Sequence, residues 1–200
     1  TVDLPLVGAY QVENALLAAG LAIALGESPD RVIAALAGLA GVKGRLEIIG
    51  QRNGGLAVVD YAHKPEALSA ALDACRPFAT GRLICVFGCG GGRDKGKRPL
   101  MGGIAAARAD LAIVTSDNPR NEDPAAIAAD ILAGMPPGQR VMLDRAEAIQ
   151  AAIGEARAGD IVLVAGKGHE DYQESHGARR HFSDIEEAGR ALKEFSHASA

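Results

Sequence analysis

Tryptophan is absent from this 200-residue chain, and aromatic residues together make up only 4% of it. A core built without large rings must come from Ala, Val, Leu and Ile. Hydrophobic residues at 48% and charged residues at 23% supply enough of both for a globular chain with a sizeable core. Cysteine is equally scarce, with Cys75, Cys85 and Cys89 its three occurrences. That is too few, and too clustered, for the disulfide framework of a small secreted fold. Cys85 and Cys89 have no second pair and no nearby ligand-spaced His, so they read as buried small residues in a reducing cytosol and not as a metal site. No apolar run is long enough to span a membrane, and no secretory leader is recognisable. A cytoplasmic protein is expected. The net charge of -4 carries no basic excess, so neither nucleic acid nor membrane is an expected partner. One motif is present only in part. Gly91, four further residues and Gly96-Lys97 begin the phosphate-binding pattern G-x-x-x-x-G-K-[ST], but Arg98 stands where a hydroxyl would hold Mg2+.

What the chain does contain is a regular alternation. Val12, Leu16, Ala19 and Ile23 recur at helical spacing between Gln11 and Leu25, and a second helix is expected from Pro29 to Leu39. Two glycines in Gly41-Val42-Lys43-Gly44-Arg45 break the pattern, which places a domain boundary between residues 44 and 45. Beyond it, strands are expected at Leu56–Asp60, Leu83–Phe87, Leu111–Val114, Val141–Leu143 and Ile161–Val164. Helices are expected at Pro65–Phe78, Pro99–Ala107, Pro124–Gly134 and from Asp144 to Ala156. Asp123 suits a cap before Pro124, and Ser183-Asp184-Ile185-Glu186 is a capping box opening a last helix. Strand and helix alternating at this interval imply an α/β fold with a doubly wound, mainly parallel sheet.

Ligands of such sheets sit beyond the carboxyl ends of the strands. The segments found there are Asp60-Tyr61-Ala62-His63, Gly88 to Lys97, Thr115 to Arg120 and Ala165 to Asp171. Any one polar loop is unremarkable. Together these four carry glycines that let backbone approach a ligand, two arginines, an Asp–Asn pair and a glutamate. Arginine forks suit carboxylates, and acidic or amide oxygens suit an ammonium, so the set fits a small zwitterion.

Five ordered motifs carry a family resemblance. Val58-Val59-Asp60-Tyr61-Ala62-His63-Lys64-Pro65, Cys85-Val86-Phe87-Gly88-Cys89-Gly90-Gly91, Asp94-Lys95-Gly96-Lys97-Arg98-Pro99, Asp117-Asn118-Pro119-Arg120 and Ala165-Gly166-Lys167-Gly168-His169-Glu170 strongly resemble the Mur ligases over nearly the whole chain. The resemblance implies an ATP-dependent amide ligation with Mg2+. The carboxylate of UDP-MurNAc-L-Ala-D-Glu is phosphorylated and then attacked by the amine of an incoming diamino acid. It further implies that residues 45–200 are the Rossmann-like C-terminal domain, which brings the amino acid, and that residues 1–44 are a helical remnant of the central ATPase domain. The P-loop, the Mg2+ ligands and the carbamylated lysine of the family are expected upstream of this chain.

Site residues follow by the same resemblance. Arg93, Asp117, Asn118, Arg120, Gly166 and Glu170 would form the diamino-acid site. The Asp117–Arg120 run is similar to the version in members that select meso-diaminopimelate, whose extra carboxylate meets the arginine. Asn14 would contact adenine, Arg45 the ATP phosphates, and Asp60 and His63 the nucleotide; where the family usually shows Phe-Asn, this chain has Tyr10-Gln11. Lys97 and Arg98 would face phosphate or solvent. A lysine-adding or other Mur-type ligase, a folate-polyglutamylating relative and a non-catalytic amino-acid-binding module are the alternatives.

Overall fold

Two runs without a single polar residue, Leu83–Phe87 and Ile161–Ala165, become strands buried along their whole length. Such strands must have both faces covered, and they form the middle of a mainly parallel sheet. The computed structural model describes residues 1–6 and 8–194. The chain opens with helices α1 (Ala9–Ala24) and α2 (Pro29–Leu36). Strands β1 (Glu47–Arg52) and β2 (Gly55–Asp60) follow, then helix α3 (Pro65–Cys75) and strand β3 (Leu83–Phe87). Next come α4 (Lys97–Arg108), β4 (Leu111–Val114), α5 (Pro124–Leu132) and β5 (Arg140–Val141). The order then runs α6 (Arg145–Glu155), β6 (Ile161–Ala165), a hairpin of β7 (Tyr172–Ser175) and β8 (Ala178–His181), and α7 (Asp184–Glu194).

The sheet order is β1-β2-β6-β3-β4-β5, parallel except for β1. Alternate residues of each strand feed two cores. Val58, Cys85, Phe87 and Leu163 meet Leu68, Leu72, Met101 and Ile131 from α3, α4 and α5. Val59, Ile84, Val86 and Val164 meet Ile149, Ile153 and Ala188 from α6 and α7. The sheet is therefore doubly wound. All three cysteines are buried free thiols.

The helix starts obey local chemistry. Asp123 accepts from the Ala125 amide, and Asp144 from those of Ala146 and Glu147. Ser183 caps α7 through the Glu186 amide, but the Glu186 carboxylate bonds His181 at 2.6 Å instead of closing the capping box. Boundaries differ from expectation at several ends: α1 begins at Ala9, α2 stops at Leu36, α4 begins at Lys97 and β5 is Arg140–Val141. Strand β1 and the β7–β8 hairpin were not expected at all. Each hairpin turns on two residues with positive φ, Asn53-Gly54 and His176-Gly177, as two-residue turns of right-twisted strands require.

The amino ends of the strands, opposite the loaded edge, are pinned by carboxylates. Asp110 accepts from the Leu83 amide and from Arg76, which hold its carboxyl below the usual carboxylate range. Burial pushes the Asp160 carboxyl up, but the Arg82 side chain and the amides of Arg82 and Arg157 outweigh it and leave a net lowering. A folded-state value below the unfolded one contributes stability that is present above about pH 3.8 and lost as the pH falls through the folded value. Thermal melts between pH 6 and pH 2 are expected to show that loss, with a smaller slope in Asp160→Asn. An unchanged slope would remove Asp160 from the acid response.

Candidate functional site

Because β2, β6, β3 and β4 run parallel, their carboxyl ends deliver four loops to one edge of the sheet. Arg93, Asp117, Asn118, Arg120, Gly166 and Glu170 all line a single open cavity of about 860 Å³ there. His63 lines this cavity too, beside Tyr61. Asn14, Arg45 and Asp60 line a second cavity of about 450 Å³, walled by Val42, Ala67, Ala70 and Ala71. The residues expected at a nucleotide are thus divided, with His63 falling on the larger cavity instead of with the other three.

The floor of the larger cavity is a buried polar cluster centred on Lys167, a residue of the glycine-rich loop after β6. Its ammonium donates to Asn118 Oδ1 at 2.9 Å and to the Tyr172 carbonyl at 2.7 Å. Asp117 Oδ1 lies 3.4 Å away and Glu170 Oε2 3.8 Å away. Burial holds the Lys167 ammonium below the usual lysine range, against the opposing pull of Asp117. Asn118 Nδ2 completes the cluster by donating to Glu170 Oε2 at 3.3 Å. Both carboxylate residues line the cavity, and Asp117 Oδ1 is buried beside the Lys167 ammonium without a hydrogen bond among the described residues.

Arg120 adopts a left-handed backbone with φ 53°. That conformation is uncommon outside glycine and has to be imposed by its surroundings. The β7–β8 hairpin imposes it: the Arg120 amide donates to the Glu174 carbonyl at 3.0 Å, and the Arg120 carbonyl accepts from His176 at 2.7 Å. Its guanidinium crosses the missing side chain of Gly90, where a Cβ would lie 2.9 Å from Nη1, and donates to the Gly91 carbonyl at 2.8 Å. Nε lies 4.0 Å from Glu174, so Nη2 is the fork's remaining nitrogen for a ligand.

Arg98 was expected at phosphate or solvent and is at neither. Its side chain is fully buried and pairs with Glu122 at 3.0 Å and Asp130 at 2.8 Å. Burial is tolerable here because both charges of opposite sign are within hydrogen-bonding distance. Lys97 donates to the His63 carbonyl at 2.7 Å and lines the same cavity.

The second cavity is organised by Asp60. Burial pushes its carboxyl up, against the lowering effect of the Leu46 amide, which donates to Asp60 Oδ2 at 2.8 Å. That bond holds Leu46 in a left-handed turn of φ 43° directly after Arg45. The Arg45 carbonyl accepts from Gln11, and its guanidinium lies 4.8 Å from the Tyr61 ring. Gly44 (φ 69°) abuts the loop after β6 so closely that a Cβ would sit 2.2 Å from the His169 amide. Asp60 therefore positions Arg45 whatever else it touches.

Four of these participants were not singled out from sequence: Lys167, Tyr61, Glu122 and Arg145. Arg145 is wholly buried, forms a two-point pair with Asp184 and donates to the Ala165 and Ser116 carbonyls. Lys167 had a legible signal, a lysine between two glycines directly after an apolar strand. Arg145 had none, since it sits in what reads as an ordinary helix start.

Residues 44–168 match the family model described as Mur ligase, glutamate ligase domain. The chain belongs to the Mur ligase family. It is 55% identical over 194 residues to the UDP-N-acetylmuramoyl-L-alanyl-D-glutamate–2,6-diaminopimelate ligase of Chelativorans sp. (strain BNC1), covering 96% of this chain and 40% of that protein. The ligase of the same name from Bradyrhizobium diazoefficiens is 56% identical over 191 residues, covering 96% and 39%. A solved structure bearing that name superposes with a TM-score of 0.78 at 43% identity, over 98% of this chain and 41% of the other. The chain thus spans about two fifths of the length of the relatives it matches.

Proposed function

We propose that this chain is the C-terminal part of a ligase that joins meso-diaminopimelate to UDP-MurNAc-L-Ala-D-Glu at the cost of ATP. The observation that carries the reading is the larger cavity, where two arginine forks and two carboxylates converge. A zwitterion with two carboxylates and two ammonium groups needs that complement. Arg93 and Arg120 take its carboxylates; Asp117 and Glu170 take an ammonium, held in place by Lys167 and Asn118. Gly166, with no side chain, leaves room for the ligand backbone. The high identity to relatives named for this amino acid supports the choice of substrate.

ATP supplies the activation of the acceptor carboxylate. Toward it this chain offers the smaller cavity, whose alanine and valine walls suit the faces of a base while Asn14 offers polar atoms to its edge. Arg45, aimed by Asp60, offers charge to phosphate. Among the described residues no group of three or more His, Cys, Asp or Glu side chains could hold a metal ion, so no step through Mg2+ is assigned to this segment.

Residues 1–44 are a helical remnant of a preceding domain, with α1 set against the rest of the chain through Tyr10 and through Gln11, which donates to the Arg45 carbonyl. Leu16, Leu17 and Leu21 of α1 are 60%, 66% and 59% exposed, and α2 buries none of its residues. The family match beginning at residue 44 supports the same division. Isothermal titration of this chain with meso-diaminopimelate and with lysine tests the reading. Measurable binding of the first and at least about tenfold weaker binding of the second is the expected result, since one charge-assisted pair separates them. Equal affinities would refute the assignment of the cavity.

A further inference from the structure

Two loops of the candidate site lie back to back with no space between them. A Cβ on Gly91 would sit 2.0 Å from the Pro119 carbonyl oxygen, and one on Gly88 2.2 Å from that of Thr115. The turn from Gly90 to Arg93 is held at two successive peptide units. Arg98 donates to the Gly90 carbonyl at 3.3 Å. The Gly91 amide donates to the Asn118 carbonyl at 2.9 Å, and the Gly91 carbonyl accepts from Arg120. The Gly92 amide donates to Glu122 Oε1 at 2.6 Å. Gly92 then reverses the chain with φ 63°, and Arg93 follows. No side chain among the described residues holds Arg93, so its place over the cavity comes from the backbone of this turn.

Glu122 is where these constraints meet. Its two oxygens accept from Arg98 at 3.0 and 3.1 Å, and Lys95 lies 3.3 Å away. We propose that Glu122 is a positioning residue for substrate recognition, fixing the Gly90–Arg93 turn so that Arg93 and Arg120 meet the same ligand. Arg98 first, and the Gly92 amide next, hold the Glu122 carboxyl down to about 2, so it is ionised throughout the physiological range. Asp130 is a built-in comparison. It pairs with the same Arg98 at 2.8 Å but has no bond to the turn. Charge balance around Arg98 depends on both carboxylates, whereas of the two only Glu122 bonds the turn itself. The inference rests on the reading of Arg93 and Arg120 as carboxylate ligands.

The test is steady-state kinetics with meso-diaminopimelate, together with thermal melting, in the full-length ligase carrying this segment. Glu122→Asp keeps the charge beside Arg98 but is one methylene short of the Gly92 amide. Glu122→Gln keeps an oxygen for that amide and loses the charge. Loss of a charge-assisted bond at the turn is expected to raise KM for meso-diaminopimelate about tenfold in Glu122→Asp, with KM for ATP and for the UDP-linked acceptor unmoved. Glu122→Gln is expected to recover most of that loss while melting lower than Glu122→Asp. Asp130→Ala is expected to melt lower with no change in any KM. If KM simply follows melting temperature across the three variants, Glu122 is a structural residue only and the proposal falls. Arg93→Ala separates the two layers of the reading: a raised KM there with unmoved values in Glu122→Asp overturns this inference alone. An unmoved KM in Arg93→Ala overturns the reading of the cavity and the inference with it.

Discussion

Arg120→Ala is expected to raise KM for meso-diaminopimelate by about tenfold to a hundredfold in the full-length ligase, the range that loss of a charge-assisted hydrogen bond of about 1.5–3 kcal/mol produces. The structure sharpens the reason. Meso-diaminopimelate carries a second carboxylate where lysine carries hydrogen. The guanidinium is held at Nη1 by the Gly91 carbonyl, with Nε toward Glu174, which orients Nη2 without neutralising the fork. Glu174 itself is shared with Arg179 at 3.3 Å, so Arg120 does not have that carboxylate to itself. A lysine ligand would leave the fork without an anion and close to an ammonium, so discrimination combines a lost attraction with an added repulsion. The gain in lysine use by the variant should be small, because removing repulsion builds no lysine pocket. Arg120→Lys should not rescue, since a point charge lacks the planar fork and the left-handed backbone positions a different side chain. The measurement is the ratio of kcat/KM for the two amino acids in wild type and variants. An unchanged ratio would mean that the turn at Asp117–Arg120 is structural and selection lies elsewhere.

The largest effect on stability is expected at Arg145. Its Nε and Nη2 meet the two oxygens of Asp184 at 2.7 Å each, and neither side chain has any exposed surface. The remaining donors reach the Ala165 carbonyl at 3.0 Å and the Ser116 carbonyl at 3.3 Å, which ties the ends of β6 and β4 to the start of α7. Removing one partner of such a pair leaves an uncompensated buried charge and costs about 3–5 kcal/mol. Whole domains have about 5–15 kcal/mol in hand, so Arg145→Ala should fold marginally or melt on the order of 10 °C lower. The double variant Arg145→Met with Asp184→Leu removes both charges together and should recover much of the loss. It should not recover ligand binding, because the two carbonyls beneath Gly166 and Asp117 no longer share a donor. Melting curves for the single and double variants, with titration of the double variant by meso-diaminopimelate, check both halves. A single variant that melts with the wild type would show that water or relaxation compensates Asp184, and the pair would then hold nothing together.

Much of this architecture was legible along the chain. Leu83–Phe87 and Ile161–Ala165 have no polar residue, so they had to be covered on both sides, and that requirement alone implied helices on two faces. Parallel strands then force all carboxyl ends to one edge, which is why four polar loops could be placed there without coordinates; the six residues from Arg93 to Glu170 followed from the resemblance to the Mur ligases, and they line one cavity. Helix starts at Asp123 and Asp144 were equally legible, because a cap is a contact between residues two or three apart.

The misses share a cause. Strand β1 lies at the sheet edge and contains Gly50 at a register shift, so its alternation is broken, and only the Asn53-Gly54 turn announces it. The β7–β8 hairpin is polar on both faces because it clasps Arg120 and does not cover a core. Arg98, expected at phosphate or solvent, and Arg145, within an ordinary helix start, carry no local sign that they are buried. Their partners stand 24, 32 and 39 residues away, and nothing local records them. Periodicity and capping are short-range properties, so composition and order in this chain determined its layers, its sheet and the edge that carries the chemistry. Which charges are buried, and which side chains merely hold the ones that face a ligand, depends on pairs brought together only by folding. The tertiary structure decided those, and it did so for an electrostatic reason: a charge leaves water only where another charge is already waiting.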